Sequence, residues 1–280
     1  MPAIQTPTRS AFRRMLTTVL LIILVAYAGI CAAMFLMQRS MMYIPDPARV
    51  SVPQTGGTAF NEVFVQTKDR QTIVAWTVDP RPGKPVILYF HGNGGNFAYG
   101  RIDKFRQLTA DGAGLFAVNY RGYGGSTGSP TEDGLRLDAD AAYDAAVARY
   151  GADRLVGYGE SLGTGVMVQL AARKPLKAVV LEAPFLSTVS VAKRLFGWLP
   201  VSFLMRDQFR SDLSIAKINA PLLVIHGEQD EVIAFDQGKA LFDLASEPKQ
   251  FLPVAGAHHN DLINFGVVNT ARQFFHERAH

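Results

Sequence analysis

The sequence contains one cysteine, Cys31, in 280 residues. That excludes a disulfide scaffold and a zinc module built on cysteines. Glycine and proline, 25 and 15, are too few and too aperiodic for a collagen-like chain. With 48% hydrophobic and only 19% charged residues, the chain is not intrinsically disordered. Acidic residues are missing from the first 40 positions, where Arg9, Arg13, Arg14 and Arg39 stand. The formal net charge of +4 therefore belongs to this tail, and the rest carries 24 basic and 24 acidic residues. A balanced body lacks the basic excess of a nucleic-acid-binding domain, so no nucleic-acid partner is expected.

Residues 15–37 carry no charge. At about 1.5 Å per residue this run reaches roughly 34 Å, enough for a bilayer core of about 30 Å. It reads as a transmembrane anchor within an N-terminal segment 1–40. A cleaved signal peptide competes, because Ala26-Tyr27-Ala28 offers an A-x-A site, but signal h-regions are shorter. Arg9, Arg13 and Arg14 precede the run and Arg39 and Arg49 follow it, which places the N-terminus inside and the body periplasmic or otherwise extracytoplasmic.

The body, 41–280, alternates two periodicities. Runs at 60–66 and 71–78, split by Thr67-Lys68-Asp69-Arg70, read as a hairpin. Short apolar runs at 86–90, 115–119, 155–158, 178–181, 222–225 and 250–254 read as buried strands. Helical patterns fall at 97–110, 131–150, 161–174, 235–245 and 261–277. This order predicts an α/β fold: a mostly parallel sheet with an antiparallel N-terminal hairpin and helices on both faces. A segment at 185–220, rich in Leu, Phe, Val and Trp198, is longer than a simple crossover needs. Its apolar cluster at 195–205 reads either as an ordinary helix pair or as a short lid lining an acyl pocket, with Trp198 and Phe203 on the lining face.

Gly159-Glu160-Ser161-Leu162-Gly163 follows one strand and opens a helix. Strand, sharp turn and helix would expose the Ser161 hydroxyl as a nucleophile. A serine nucleophile needs a base, and the base an orienting acid. Asp230, in Ile225-His226-Gly227-Glu228-Gln229-Asp230, is the expected acid, and Glu182 is its rival. His259 is the expected base, with the adjacent His258 as fallback. The developing oxyanion needs N–H donors. The Leu162 amide follows the nucleophile, and the Asn93 amide lies in His91-Gly92-Asn93-Gly94-Gly95-Asn96. His91 and His226 read as structural. The chain ends in His276-Glu277-Arg278-Ala279-His280, a literal H-E-x-x-H. A catalytic zinc needs a third ligand and a closed site, so this motif is expected to be idle. No metal or organic cofactor is expected.

These motifs, with Asn119-Tyr120-Arg121-Gly122-Tyr123-Gly124-Gly125 and Leu181-Glu182-Ala183-Pro184-Phe185, resemble those of the α/β-hydrolase superfamily. The likeness is to its membrane-anchored abhydrolase-domain, depalmitoylase-like branch, and runs from about residue 40 to the C-terminus. It implies a serine esterase or thioesterase with a short lid. The N-terminal cysteine cluster of the palmitoylated eukaryotic members is missing, and an apolar helix stands in its place. A membrane-anchored serine hydrolase acting on a small-molecule or acylated substrate is the leading reading. The alternative is an aminopeptidase-like serine peptidase, which would want an acidic patch, from Glu160 or Asp207, for the substrate amine. A binding protein on this scaffold would show a damaged triad, and none is visible.

Overall fold

A computed structural model of the chain describes residues 9–53, 58–98 and 100–278. It opens with α1 (Arg9–Met42), one 34-residue helix whose first half stands away from the body. It is long and apolar enough to cross a membrane. The body then runs β1 (Ile44–Pro45), β2 (Asn61–Gln66), β3 (Thr72–Val78), β4 (Val86–Phe90), β5 (Gly94–Gly95), α2 (Arg101–Thr109), β6 (Gly114–Val118), α3 (Glu132–Tyr150), β7 (Leu155–Glu160), α4 (Leu162–Ala171) and β8 (Val179–Glu182). Two short helices, α5 (Thr188–Leu195) and α6 (Val201–Leu204), fill the insertion. β9 (Leu222–Gly227), α7 (Phe235–Leu244), β10 (Lys249–Val254) and α8 (Val267–Arg278) complete the chain.

Eight strands form one sheet in the order β10-β9-β8-β7-β4-β6-β3-β2. The six from β6 to β10 pair in parallel, and the β2–β3 hairpin adds antiparallel strands at one edge. The α/β-hydrolase fold expected from the sequence is the fold observed. In β4 all five side chains are buried, as an apolar run with helices on both sides requires. Val86, Leu88 and Phe90 pack toward α3 and α4, while Ile87 and Tyr89 pack toward α2 and α8.

Several boundaries differ from the pattern reading, each for a local reason. Residues 97–110 do not form one helix. Asn96 Oδ1 accepts from the Ala98 amide at 2.8 Å, Gly100 is left-handed, and the helix begins at Arg101. The last predicted helix is broken at Gly266, whose φ of 75° ends a 3₁₀ turn over Leu262–Phe265 before α8 starts. β1 and β5 were not foreseen. They pair in parallel, Ile44 with Gly94 and Pro45 with Gly95, as a separate two-stranded ribbon. Each is two residues long, too short for a periodic signal.

Arg121 ties the hairpin to the sheet. Its guanidinium reaches Asp69 in the hairpin turn at 2.7 and 3.1 Å and Asp138 on α3 at 2.8 and 2.9 Å. Hydrogen bonds from Arg121 and Thr67 hold the Asp69 carboxyl down at about 2, from an ordinary 3.8. The native state then binds fewer protons than the unfolded chain below about pH 4. Stability from Asp69 is full above that pH and drains away as pH falls toward 2. Asp69→Asn should therefore lower the thermal midpoint most near neutrality. The gap to wild type should narrow steadily in melts taken from pH 5 down to 2.5, and a constant gap would contradict the assignment.

Candidate active site

Ser161 sits between β7 and α4 with φ 51° and ψ −117°, a conformation that side-chain-bearing residues rarely adopt. Two glycines make the turn possible by close approach. A Cβ on Gly159 would lie 2.6 Å from the Gly163 carbonyl oxygen, and one on Gly163 would strike the carbonyl of Phe90. The elbow is tied to the neighbouring strand by the Ser161 amide donating to Glu182 O at 2.9 Å.

A chain of hydrogen bonds leads away from the hydroxyl. His259 Nε2 stands 3.0 Å from Ser161 Oγ, and His259 Nδ1 stands 2.7 Å from Asp230 Oδ2. The carboxylate can only accept, so Nδ1 carries the proton and Nε2 is free to accept from the serine. Asp230 Oδ1 takes the amides of Val232 and Ile233 at 2.9 and 2.7 Å. Burial by itself would push this carboxyl up. Hydrogen bonds from His226 and His259 outweigh it and hold the group well below the usual carboxylate range. Asp230 is thus a fixed anion beside the imidazole.

His226 has a larger part than a structural reading of the sequence suggested. It is fully buried, 3.3 Å from Asp230 Oδ2, and its Nε2 also lies 2.9 Å from Ile233 O. A Cβ on Gly238 would strike the His226 ring, so the first turn of α7 pins this histidine. The sequence carried no signal for this pairing, because i, i+4 spacing brings side chains together on a helix and His226 stands in β9. His258 lies apart from this chain, exposed and 3.1 Å from Glu231. His91 is buried against Tyr120 and Phe97, with Nδ1 2.6 Å from Gly92 O. Burial and the Arg101 charge push it down to about 3, so it is neutral near pH 7.

Glu182, the rival acid, is engaged elsewhere. Lys104 Nζ reaches Glu182 at 2.9 Å and Glu160 at 2.9 Å; Tyr158 donates to Glu182 and Tyr89 to Glu160. Arg101 stands 3.5 Å from Glu160. Burial would raise the Glu160 carboxyl, but Lys104 and Arg101 outweigh it and keep the carboxyl ionised. Two cations and two anions thus balance beneath the elbow. Sequence reading missed Lys104 and Arg101, because two basic residues on an ordinary helix carry no motif.

Asn93 and Leu162 face the same cavity as Ser161. The Asn93 side-chain amide donates to Met42 O at 3.0 Å, and the Asn93 backbone carbonyl accepts from Ile44 N at 3.1 Å and Tyr123 Oη at 2.8 Å. Its backbone N–H makes no hydrogen bond to the surrounding protein among those described and is placed to serve a ligand. The loop approaches the elbow closely, since a Cβ on Gly92 would lie 3.4 Å from the Ser161 Cβ. The Leu162 amide belongs to the first turn of α4, whose N–H groups lack helical partners. This arrangement can bind a tetrahedral oxyanion above Ser161.

The cavity has a volume of about 370 Å³ and is lined mainly by apolar side chains. Leu195, Phe196, Leu199, Val201 and Met205 of the insertion form one wall. Trp198 and Phe203 do not line it. They are 58% and 90% exposed, which corrects the expectation that they face the pocket. They fall on the outer side of the α5–α6 hairpin. The second candidate acid for an acidic patch, Asp207, is bound to Arg39 at 2.8 and 3.0 Å and to Tyr43 at 3.2 Å. The terminal H-E-x-x-H lies partly outside the described residues. Among those described, no group of three or more metal-ligating side chains comes together.

A family model described as the alpha/beta hydrolase fold matches residues 85–201. An uncharacterised protein of Mycobacterium tuberculosis is 33% identical over 273 residues, covering 95% of this chain and 96% of that protein. The alpha/beta hydrolase domain-containing protein 17B of Homo sapiens is 38% identical over 192 residues, or 65% of this chain and 63% of that protein. Among solved structures, an esterase of Pyrococcus furiosus superimposes with a TM-score of 0.69 at 18% identity. It covers 85% of this chain and 98% of that chain. From this sheet order, elbow and set of similarities, the chain belongs to the α/β-hydrolase superfamily.

Proposed function

We propose that the protein is a membrane-anchored serine hydrolase that cleaves carboxylic ester or thioester bonds through an acyl-enzyme. The observation that carries the reading is the unbroken chain Ser161–His259–Asp230, at 3.0 and 2.7 Å, at the floor of an apolar cavity. Ser161 Oγ attacks the acyl carbon while His259 Nε2 takes its proton. The amides of Leu162 and Asn93 hold the oxyanion, and Asp230 stabilises the imidazolium. The alcohol or thiol leaves with the proton from His259. Water then attacks the acyl-enzyme by the same route and frees the acid. No step calls for a metal or organic cofactor.

An ester or thioester is favoured over a peptide N-terminus by the charge arrangement. Glu160 and Asp207 are each paired with cations, so neither offers a free carboxylate to a substrate amine. The apolar helix serves in this reading as a single-pass anchor. The excess of arginine before it puts the N-terminus inside and the catalytic body outside the cytoplasm.

Ser161→Ala should abolish labelling by a fluorophosphonate probe and reduce kcat by roughly 10⁴-fold or more, since triad members act as a unit. His259→Ala should cost about as much, and His258→Ala far less. A labelled alanine variant at 161, or a dead His258 variant beside an active His259 variant, would refute these roles. An apolar pocket also makes turnover depend on chain length, because each buried methylene contributes up to about 0.8 kcal/mol. The kcat/KM for p-nitrophenyl esters should climb from acetyl to octanoyl. A profile that peaks at acetate would argue for a small polar substrate.

A further inference from the structure

The cavity beside Ser161 has a second wall that does not come from the hydrolase body. Met34, Gln38, Met41 and Met42 of α1 line it, with Met34 and Gln38 in contact with the α5–α6 insertion. Tyr27, Cys31, Met34, Gln38 and Met42 recur at steps of three and four, which puts them on one stripe of the helix. That stripe is docked by specific bonds. Gln38 Nε2 donates to Leu204 O at 3.0 Å, and the Arg206 amide donates back to Gln38 Oε1 at 2.7 Å. The next residue, Arg39, makes its paired contact with Asp207. Higher up the helix, Tyr27 Oη donates to Trp198 O at 3.0 Å, and the two rings lie 6.3 Å apart. Leu36, on the opposite side of α1, is 80% exposed.

Helix arithmetic sets the depth of these contacts. A bilayer core of about 30 Å takes about 20 residues, so a span that begins after Arg14 ends near Met34. Tyr27 then lies seven residues, or roughly 10 Å, inside the apolar layer. Trp198, bonded to it, lies at the same depth. Trp198 and Phe203, at 58% and 90% exposed, are apolar side chains outside the cavity where a soluble domain would place polar ones.

We propose that the membrane helix is itself part of the substrate site. The acyl chain binds between α1 and the α5–α6 lid, the lid is sunk in the outer leaflet, and Met34 and Met41 set the acyl length accepted. The substrate class is an acyl chain already resident in the bilayer, which enters sideways from the leaflet. This rests on the serine-hydrolase reading above.

The full-length chain, reconstituted in phosphatidylcholine nanodiscs, tests the wall directly. For Met34→Trp the ratio of kcat/KM for octanoyl over acetyl ester should fall at least about tenfold, the effect of losing roughly two buried methylenes. Leu36→Trp, on the exposed face of the same helix, should keep the wild-type ratio. Met34→Ala should shift the optimum to a longer chain, which guards against misfolding of the bulkier variant. If both Met34 variants take the fluorophosphonate label and keep the wild-type ratio, α1 is not a wall. A wild-type chain that takes no label overturns this proposal and the serine reading together. Lid depth is read by brominated phosphatidylcholine, which should quench tryptophan emission in wild type far more than in Trp198→Phe. Equal quenching in the two would place the lid outside the leaflet.

Discussion

The backbone at Ser161 is held in a conformation that costs on the order of 1–3 kcal/mol, and much of the surrounding structure is arranged to keep it there. With φ at 51° the strand can turn directly into α4 and leave the hydroxyl proud of the sheet. The turn closes only because Gly159 and Gly163 let two backbone segments touch. Below it, Lys104 bridges Glu160 and Glu182, so the last residues of β7 and β8 are locked to α2. Breaking one member of such a buried set typically costs about 3–5 kcal/mol, because it strands a charge in the interior. The strain at the elbow is small beside that restraint.

The acid is held with equal care. Asp230 receives two amides, His259 and His226, so its position is fixed from four directions before any substrate arrives. The loop around Asn93 is fixed from another side altogether. Chain leaving α1 pairs with Gly94 and Gly95, and Met42 and Ile44 bond to Asn93. The segment that emerges from the apolar helix is thus stitched to the loop that lies against the Ser161 elbow.

The sheet and its helices could be read from the amino-acid order because each strand is a short apolar run between turn signals. The strand over Val86–Phe90 matches to the residue. The elbow was equally visible, since its glycines are demanded by contact and leave a pattern. What sequence reading missed lies in tertiary pairing. Nothing in the order of residues tells that Lys104 meets Glu182, 78 positions away, or that His226 leans on the acid. The two-residue β1 and β5 have no period to detect. The insertion was recognised by its length and apolarity, but which face looks inward depends on where α1 docks. Phe203 turns outward, while the Trp198 ring lies outside the cavity beside Tyr27 of α1.

Four of the eight methionines in the chain, Met34, Met41, Met42 and Met205, line the one cavity beside Ser161. A thioether chain is unbranched, polarisable and free to turn about three bonds, so it fits itself to whatever lies against it. Such a surface measures how much hydrocarbon it covers and is nearly indifferent to its shape. Straight, kinked and branched tails of equal bulk would meet almost the same wall. Each sulfur is also open to conversion into a polar sulfoxide, which would wet a surface that now excludes water. For the proposed acyl substrate, breadth of tail shape and sensitivity to oxidants would therefore be joined in one lining.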